Sequence, residues 1–210
     1  MDAMATAVKI CGITRAEDAQ AAARLGAHAV GFVFYAKSPR NVGAARAAEL
    51  AKALPPFVTA VGLFVNPAVR EVESVLEHVR LDLLQFHGEE PPELCARFGV
   101  PYIKALRVKA GVDLLQYARV YAGARGLLLD AYVDGAHGGT GTAFDWSLIP
   151  RELPLPVVLS GGLNPENVAA AIRAVAPWAV DVSSGVEASP GVKDARKIAE
   201  FMKEVRSADV

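Results

Sequence analysis

A chain of 210 residues with 52% hydrophobic and 21% charged positions has a globular composition, which excludes a disordered or low-complexity protein. Its formal net charge of −1 offers no electrostatic attraction for nucleic acid or an anionic membrane. No apolar run reaches the ~20 residues of a membrane-crossing helix, and the opening MDAMATAVKI lacks the pattern of a signal peptide, so the expectation is a cytoplasmic protein with Cys11 and Cys95 reduced.

Residues 1–7 read as an extended or disordered N-terminal segment. From there short apolar runs alternate with helical patterns to the end of the chain. The runs are 8–11, 29–34, 59–65, 82–86, 102–107, 126–130, 157–160 and 180–183, each the length of a buried parallel strand. After the first, Thr14 is placed to cap a helix with Glu17 three residues on, and Gly26 is placed to stop it. Asn66-Pro67 opens a second helical stretch with an apolar stripe at Val69, Val72, Val75, Leu76 and Val79. An outer helix over 92–98 carries Cys95, and a short one covers 112–122. A long loop over 131–146 holds Gly135, Gly138, Gly139 and Gly141. Asn164-Pro165 opens another helix with Val168, Ala171, Ile172 and Val175, and the last helix shows Ile198, Met202 and Val205 on one face.

Strict alternation of strands and helices calls for a parallel sheet with helical crossovers. Eight such units in a chain of this length suit one closed (β/α)8 barrel, a single-domain TIM-barrel architecture. The competing arrangement, a doubly wound open sheet, would want a G-x-G-x-x-G turn after the first strand, where this chain reads CGITRAED.

In a barrel the chemistry gathers where the strands run out at their C-terminal ends. Two such loops, Ser160-Gly161-Gly162-Leu163 and Ser183-Ser184-Gly185, pair glycines with small polar residues. Backbone N–H groups exposed there suit a phosphate, although ordinary turn glycines would look the same one loop at a time. Cys11 ends the first strand, on the same face as Lys9. An ammonium nearby and the following helix N-terminus predict a thiol pKa below the free value of ~8.5; the commoner fate of a cysteine, a small buried hydrophobe, stays open. Asp130 closes the run Leu127-Leu128-Leu129, where a carboxylate is either paired structurally or kept as a proton donor by partial desolvation. Arg40 could fork onto a carboxylate or be a solvated surface residue. His87 and Arg107 could line a pocket or merely end their strands. The remaining histidines show no metal-ligand spacing, and neither H-E-x-x-H nor C-x-x-C occurs, so no metal site is expected.

Taken in order, KICGIT, FxFxxxSPRNV, VGLFVN, LLQFHGEE, LLLDA with GGTGxxFDW, SGGLNPENV and DVSSGVE resemble the phosphoribosylanthranilate isomerase family over nearly the whole chain. The resemblance implies an Amadori rearrangement of N-(5′-phosphoribosyl)anthranilate to 1-(2-carboxyphenylamino)-1-deoxyribulose 5-phosphate, with no metal or redox cofactor. It implies Asp130 as the general acid and Cys11 as the general base. Arg40 would hold the anthranilate carboxylate, Gly161, Gly162, Ser183, Ser184 and Gly185 the phosphate, and His87 and Asp181 would contact or support the substrate. A small-molecule substrate is then the expected partner, and both a monomer and a homodimer are compatible with the sequence. Indole-glycerol-phosphate synthase would instead want a lysine acid with several glutamates, and ribulose-phosphate epimerase a metal-binding His/Asp set. A non-catalytic phosphosugar-binding barrel would not need Cys11 and Asp130 intact.

Overall fold

Every predicted apolar run is a strand in the computed structural model, which describes residues 5–109, 111–131, 145–150 and 152–208. The strands are β1 (Ala7–Cys11), β2 (Ala29–Phe34), β3 (Thr59–Phe64), β4 (Leu83–Phe86), β5 (Tyr102–Val108), β6 (Leu127–Ala131), β7 (Val157–Leu159) and β8 (Ala179–Val182). All pair in parallel, and β8 closes onto β1, so the expected barrel is the observed one. Among the described residues six helices lie between successive strands, α1 (Ala16–Leu25), α2 (Ala44–Lys52), α3 (Val69–His78), α4 (Pro92–Ala96), α5 (Leu114–Val120) and α6 (Val168–Val175), and α7 (Ala195–Ala208) follows β8. Only a 3₁₀ turn, Trp146–Leu148, is described between β6 and β7. The glycine-rich loop expected there lies outside the described residues. No described helix is long and apolar enough to cross a membrane. Thr6 is buried and Ala7 already belongs to β1, so the end of the segment read as extended or disordered joins the barrel.

Three helix starts differ from the sequence pattern. Thr14 does not cap α1; its hydroxyl donates to the Gly191 carbonyl at 2.5 Å, and α1 begins two residues on. Gly26 does end α1, in the left-handed conformation at φ 99°. Asn66 turns away from α3 at φ 47° and accepts from the Glu89 N–H, while Glu71 reaches back to the Ala68 N–H. Asn164 and Asn167 exchange side-chain-to-backbone hydrogen bonds in a turn that delays α6 to Val168. In each case a polar side chain at a loop is spent on another loop or turn.

One feature had no counterpart in the pattern: a small antiparallel hairpin of β9 (Glu187–Ser189) and β10 (Val192–Lys193) between β8 and α7.

Period-two alternation splits the apolar residues into two cores. Outward-facing residues such as Phe32, Phe64, Phe86 and Leu129 pack with Leu50, Val72, Ile198 and Phe201 of the helices. Inside the barrel sit two smaller clusters, Cys11, Val33 and Leu63 on one side and Ile103, Ala105 and Leu128 on the other. The loops above β3, β4 and β5 are joined by a buried carboxylate. Glu90 accepts from the N–H groups of Asn66 and Gly88 and pairs with Lys104 at 2.7 Å. Both side chains are almost wholly buried. Glu90→Ala strands the Lys104 ammonium in the interior, so urea unfolding should show a loss of about 3–5 kcal/mol. A loss no larger than the ~0.5 kcal/mol of a surface substitution would remove the pair from this role.

Candidate active site

Cys11 and Lys9 project from β1 into the barrel. β1 pairs with β8 in the register Lys9↔Asp181, which sets the ammonium and carboxylate side by side. Lys9 Nζ lies 2.9 Å from Asp181 Oδ1, and Ser160 at the end of β7 lies 3.3 Å from the other oxygen. Across from them β2 carries Gly31, where a side chain would collide with the Cys11 sulfur and approach Lys9 Nζ. The bare glycine is what makes room for both groups.

Lys9 is close enough to the Cys11 sulfur to favour its thiolate, yet the thiol is not activated as the sequence suggested. Burial pushes the Cys11 pKa up, Lys9 pulls it down without compensating, and the Asp181 charge raises it further. The expectation of a depressed thiol is therefore overturned. Lys9 itself stays firmly charged: burial works against the ammonium, but Asp181 and Cys11 together outweigh it and raise its pKa.

Asp130, at the end of β6, is buried and lies 3.0 Å from His87 Nε2. The other ring nitrogen, Nδ1, is 3.0 Å from Nε2 of Gln85 on β4. Arg107 is the register neighbour of Asp130 on β5 and is half-buried.

Arg40 is neither a solvated surface residue nor free for a ligand's fork along its whole edge. Its Nε and Nη2 bind the two carboxylate oxygens of Glu187 at 2.8 and 2.7 Å. The Arg40 stem crosses Gly12, where a Cβ would come within 2.5 Å of it. Glu187 is shared with Lys193 Nζ at 2.8 Å, and Lys193 also donates to the Ser183 carbonyl. Burial alone would raise the Glu187 pKa, but Arg40 and Lys193 hold it below the ordinary carboxylate range. Burial lowers the Lys193 pKa more than Glu187 restores it.

The two glycine loops meet above β7 and β8. Gly161 and Gly162 have φ of 87° and 67°, conformations that a side chain would strain. No carbonyl among the described residues accepts from their N–H groups, while the Gly162 carbonyl is held by Asn167. Gly185 packs so tightly on the Leu163 carbonyl that a Cβ would sit 2.0 Å from its oxygen. This small pocket is lined by Gly161, Gly162, Ser183 and Ser184, and it shares Asp130, Ser160, Asp181 and Ser183 with the cavity that holds Cys11, Arg40 and His87. These two adjoining pockets bring together nine of the ten residues to which the resemblance gives a role. The tenth, Gly185, lies just behind, fitting one loop against the other.

Glu187, Lys193 and Gln85 were not singled out as site residues, and Ser160 was named only as part of a glycine loop. Glu187 ends the DVSSGVE motif, and its burial could have been suspected. Nothing in the local sequence marks Lys193.

The sequence model of the family described as PRAI, N-(5′phosphoribosyl)anthranilate (PRA) isomerase, matches residues 8–204. The N-(5′-phosphoribosyl)anthranilate isomerase of Thiobacillus denitrificans is 60% identical over 205 residues, covering 98% of this chain and all of that one. A solved structure described as mutually generated monomers of the dimeric enzyme from Thermotoga maritima aligns with a TM-score of 0.85 at 43% identity, covering 96% and 99% of the two chains. Another phosphoribosyl anthranilate isomerase, solved in complex with reduced 1-(o-carboxyphenylamino)-1-deoxyribulose 5-phosphate, aligns at 0.84 and 45% identity with the same coverage.

Asp181→Asn should lower the Cys11 pKa, because it removes a nearby negative charge and frees Lys9 for the sulfur. The check is the pH dependence of thiol alkylation. Cys95, whose thiol burial pushes up to about 11, is replaced in both proteins as Cys95→Ala so that Cys11 alone reports. An alkylation profile that stays put, or moves to higher pH, refutes the competition between Asp181 and Cys11 for Lys9.

Proposed function

This chain belongs to the N-(5′-phosphoribosyl)anthranilate isomerase family, and we propose that Asp130 and Cys11 carry out its reaction as general acid and general base. The reaction is the isomerisation of N-(5′-phosphoribosyl)anthranilate to 1-(2-carboxyphenylamino)-1-deoxyribulose 5-phosphate. One observation supports this division most: Cys11 and Asp130, on β1 and β6, line one cavity that runs into the glycine loops.

The chemistry needs one proton donor and one acceptor and leaves no net change in oxidation state. Asp130 protonates the ribose ring oxygen, the C1′–O bond breaks, and a Schiff base forms with the anthranilate nitrogen. The Cys11 thiolate then removes the C2′ proton, and the electron pair moves toward nitrogen to give an enolamine that becomes the ketone. Lys9 stabilises the thiolate as it forms, and Asp181 keeps Lys9 in place. The substrate phosphate sits on the N–H groups of Gly161 and Gly162 and beside Ser183, Ser184 and Gly185. Arg40 offers the guanidinium edge that Glu187 does not occupy to the anthranilate carboxylate, and His87 holds Asp130. The requirement for a free thiol suits a cytoplasmic location.

Cys11→Ala and Asp130→Ala should each fold normally and lose ~10²–10⁴-fold in turnover, the usual contribution of a general base or acid. Because the Cys11 pKa is raised, kcat/KM of the unaltered enzyme should still be climbing as pH passes above neutrality. Wild-type activity in Cys11→Ala would place the base elsewhere, and a protein that binds the phosphosugar without turning it over would be a binding protein only.

The same barrel is best read as a homodimer. Phe57, at the N-terminal end of β3, is 102% exposed at φ 70°, and Trp178, before β8, is 54% exposed. Both precede their strands and so lie at the barrel end opposite the site, where exposed aromatic side chains suit a self-complementary contact. Sedimentation should show a dimer that Phe57→Asp splits without loss of turnover. A monomeric unaltered protein ends this reading.

A further inference from the structure

Gln85 is fully buried on β4, and only one end of its amide is accounted for. Its Nε2 lies 3.0 Å from His87 Nδ1, while its Oε1 has no hydrogen-bond partner among the described residues. A buried acceptor left unpaired is costly, and it calls for an explanation at a site where the next two links are both short. An amide nitrogen has hydrogens to give and no lone pair to offer, so Nδ1 is the acceptor in this contact. A neutral imidazole that accepts at Nδ1 carries its proton on Nε2, and that nitrogen lies 3.0 Å from Asp130 Oδ2.

We infer that Gln85 is a positioning residue for the isomerisation: by donating to His87 Nδ1 it fixes the neutral Nε2–H tautomer, which ties up Asp130 Oδ2 and leaves Oδ1 to carry the transferable proton. The inference rests on the reading of Asp130 as the acid. The opposite amide orientation shows why the choice matters. Oε1 facing the ring would demand Nδ1–H and leave Nε2 bare. Asp130 would then turn its acidic proton toward histidine and away from the substrate. After the proton is given up, the Nε2–H also stabilises the carboxylate left behind, without bringing a charge of its own. A glutamate at position 85 would fail for a related reason. Its carboxylate would hold a proton on Nδ1 and favour the imidazolium, which keeps Asp130 ionised with nothing to donate. An uncharged donor of this length meets the requirement.

The test combines ¹⁵N NMR of histidine-labelled protein with steady-state kinetics, the His87 signals being assigned by their absence in His87→Asn. In the unaltered protein Nδ1 should resonate as an unprotonated, pyridine-like nitrogen and Nε2 as a protonated one. In Gln85→Glu, Nδ1 should become protonated and kcat should fall ~10-fold or more, a share of the ~10²–10⁴ supplied by the acid, with KM nearly unchanged. Gln85→Met keeps the volume but lacks the donor; it should lose the single tautomer and fall in kcat likewise. A merely structural glutamine would lower stability and leave tautomer and kcat alone. A protonated Nδ1 in the unaltered protein overturns the inference. So does a switched tautomer in Gln85→Glu with kcat intact while Asp130→Ala is inactive, which condemns the role of Gln85 alone. An active Asp130→Ala instead brings down the acid reading beneath it.

Discussion

The Lys9–Asp181 pair sits where an eight-stranded barrel would otherwise be filled with hydrocarbon. It lies across the seam at which the first and last strands meet, so the closure of the barrel and the seating of the thiol share one contact. Taking two charges out of water is costly, and their mutual attraction offsets that cost only while both remain in place. The carboxylate is therefore bound to the site even though it works against ionisation of Cys11. The result is a thiol that is held in position more firmly than it is activated.

Two further buried carboxylates perform a similar service for the loops. Glu90 with Lys104 gathers the chain above β3, β4 and β5 and so fixes where His87 leaves its strand. Glu187, between Lys193 and Arg40, draws the loop after β2 toward the hairpin after β8. Loops are usually the mobile part of a barrel. Here the loops after β2, β4 and β8 are anchored by charges that have no water to retreat to, which helps side chains from separate strands hold a common geometry.

The architecture was legible because its signal is repeated eight times: short apolar runs with helical patterns between them, and chemistry-bearing residues at the run ends. Strand boundaries moved by a residue, helix starts by up to four, and the topology did not move. What escaped the sequence was long-range pairing. Lys9 beside Cys11 is a local fact and suggested an acidic thiol. The opposing facts, burial and a carboxylate 172 residues away, belong to the folded barrel. Arg40 illustrates the same limit, since its partner Glu187 is 147 residues on and could not be read from the loop that carries the arginine. Thr14 has every local mark of a helix cap, and it was the tertiary contact with Gly191 that claimed its hydroxyl. The Gln85–His87–Asp130 chain joins two residues of one strand end to a third on another, and only registered strands bring them together.

The hairpin after β8 has a consequence for how the protein breathes. Gly191 receives the Thr14 hydroxyl, the Lys193 N–H is held by Asp18 of α1, and Glu187 holds Arg40 from the loop after β2. The loops above β1, β2 and β8 are thereby knotted through one small element, and none can open without breaking contacts that belong to the others. Their amide protons should exchange with solvent as a single cooperative unit, at a rate set by the rarest opening among them.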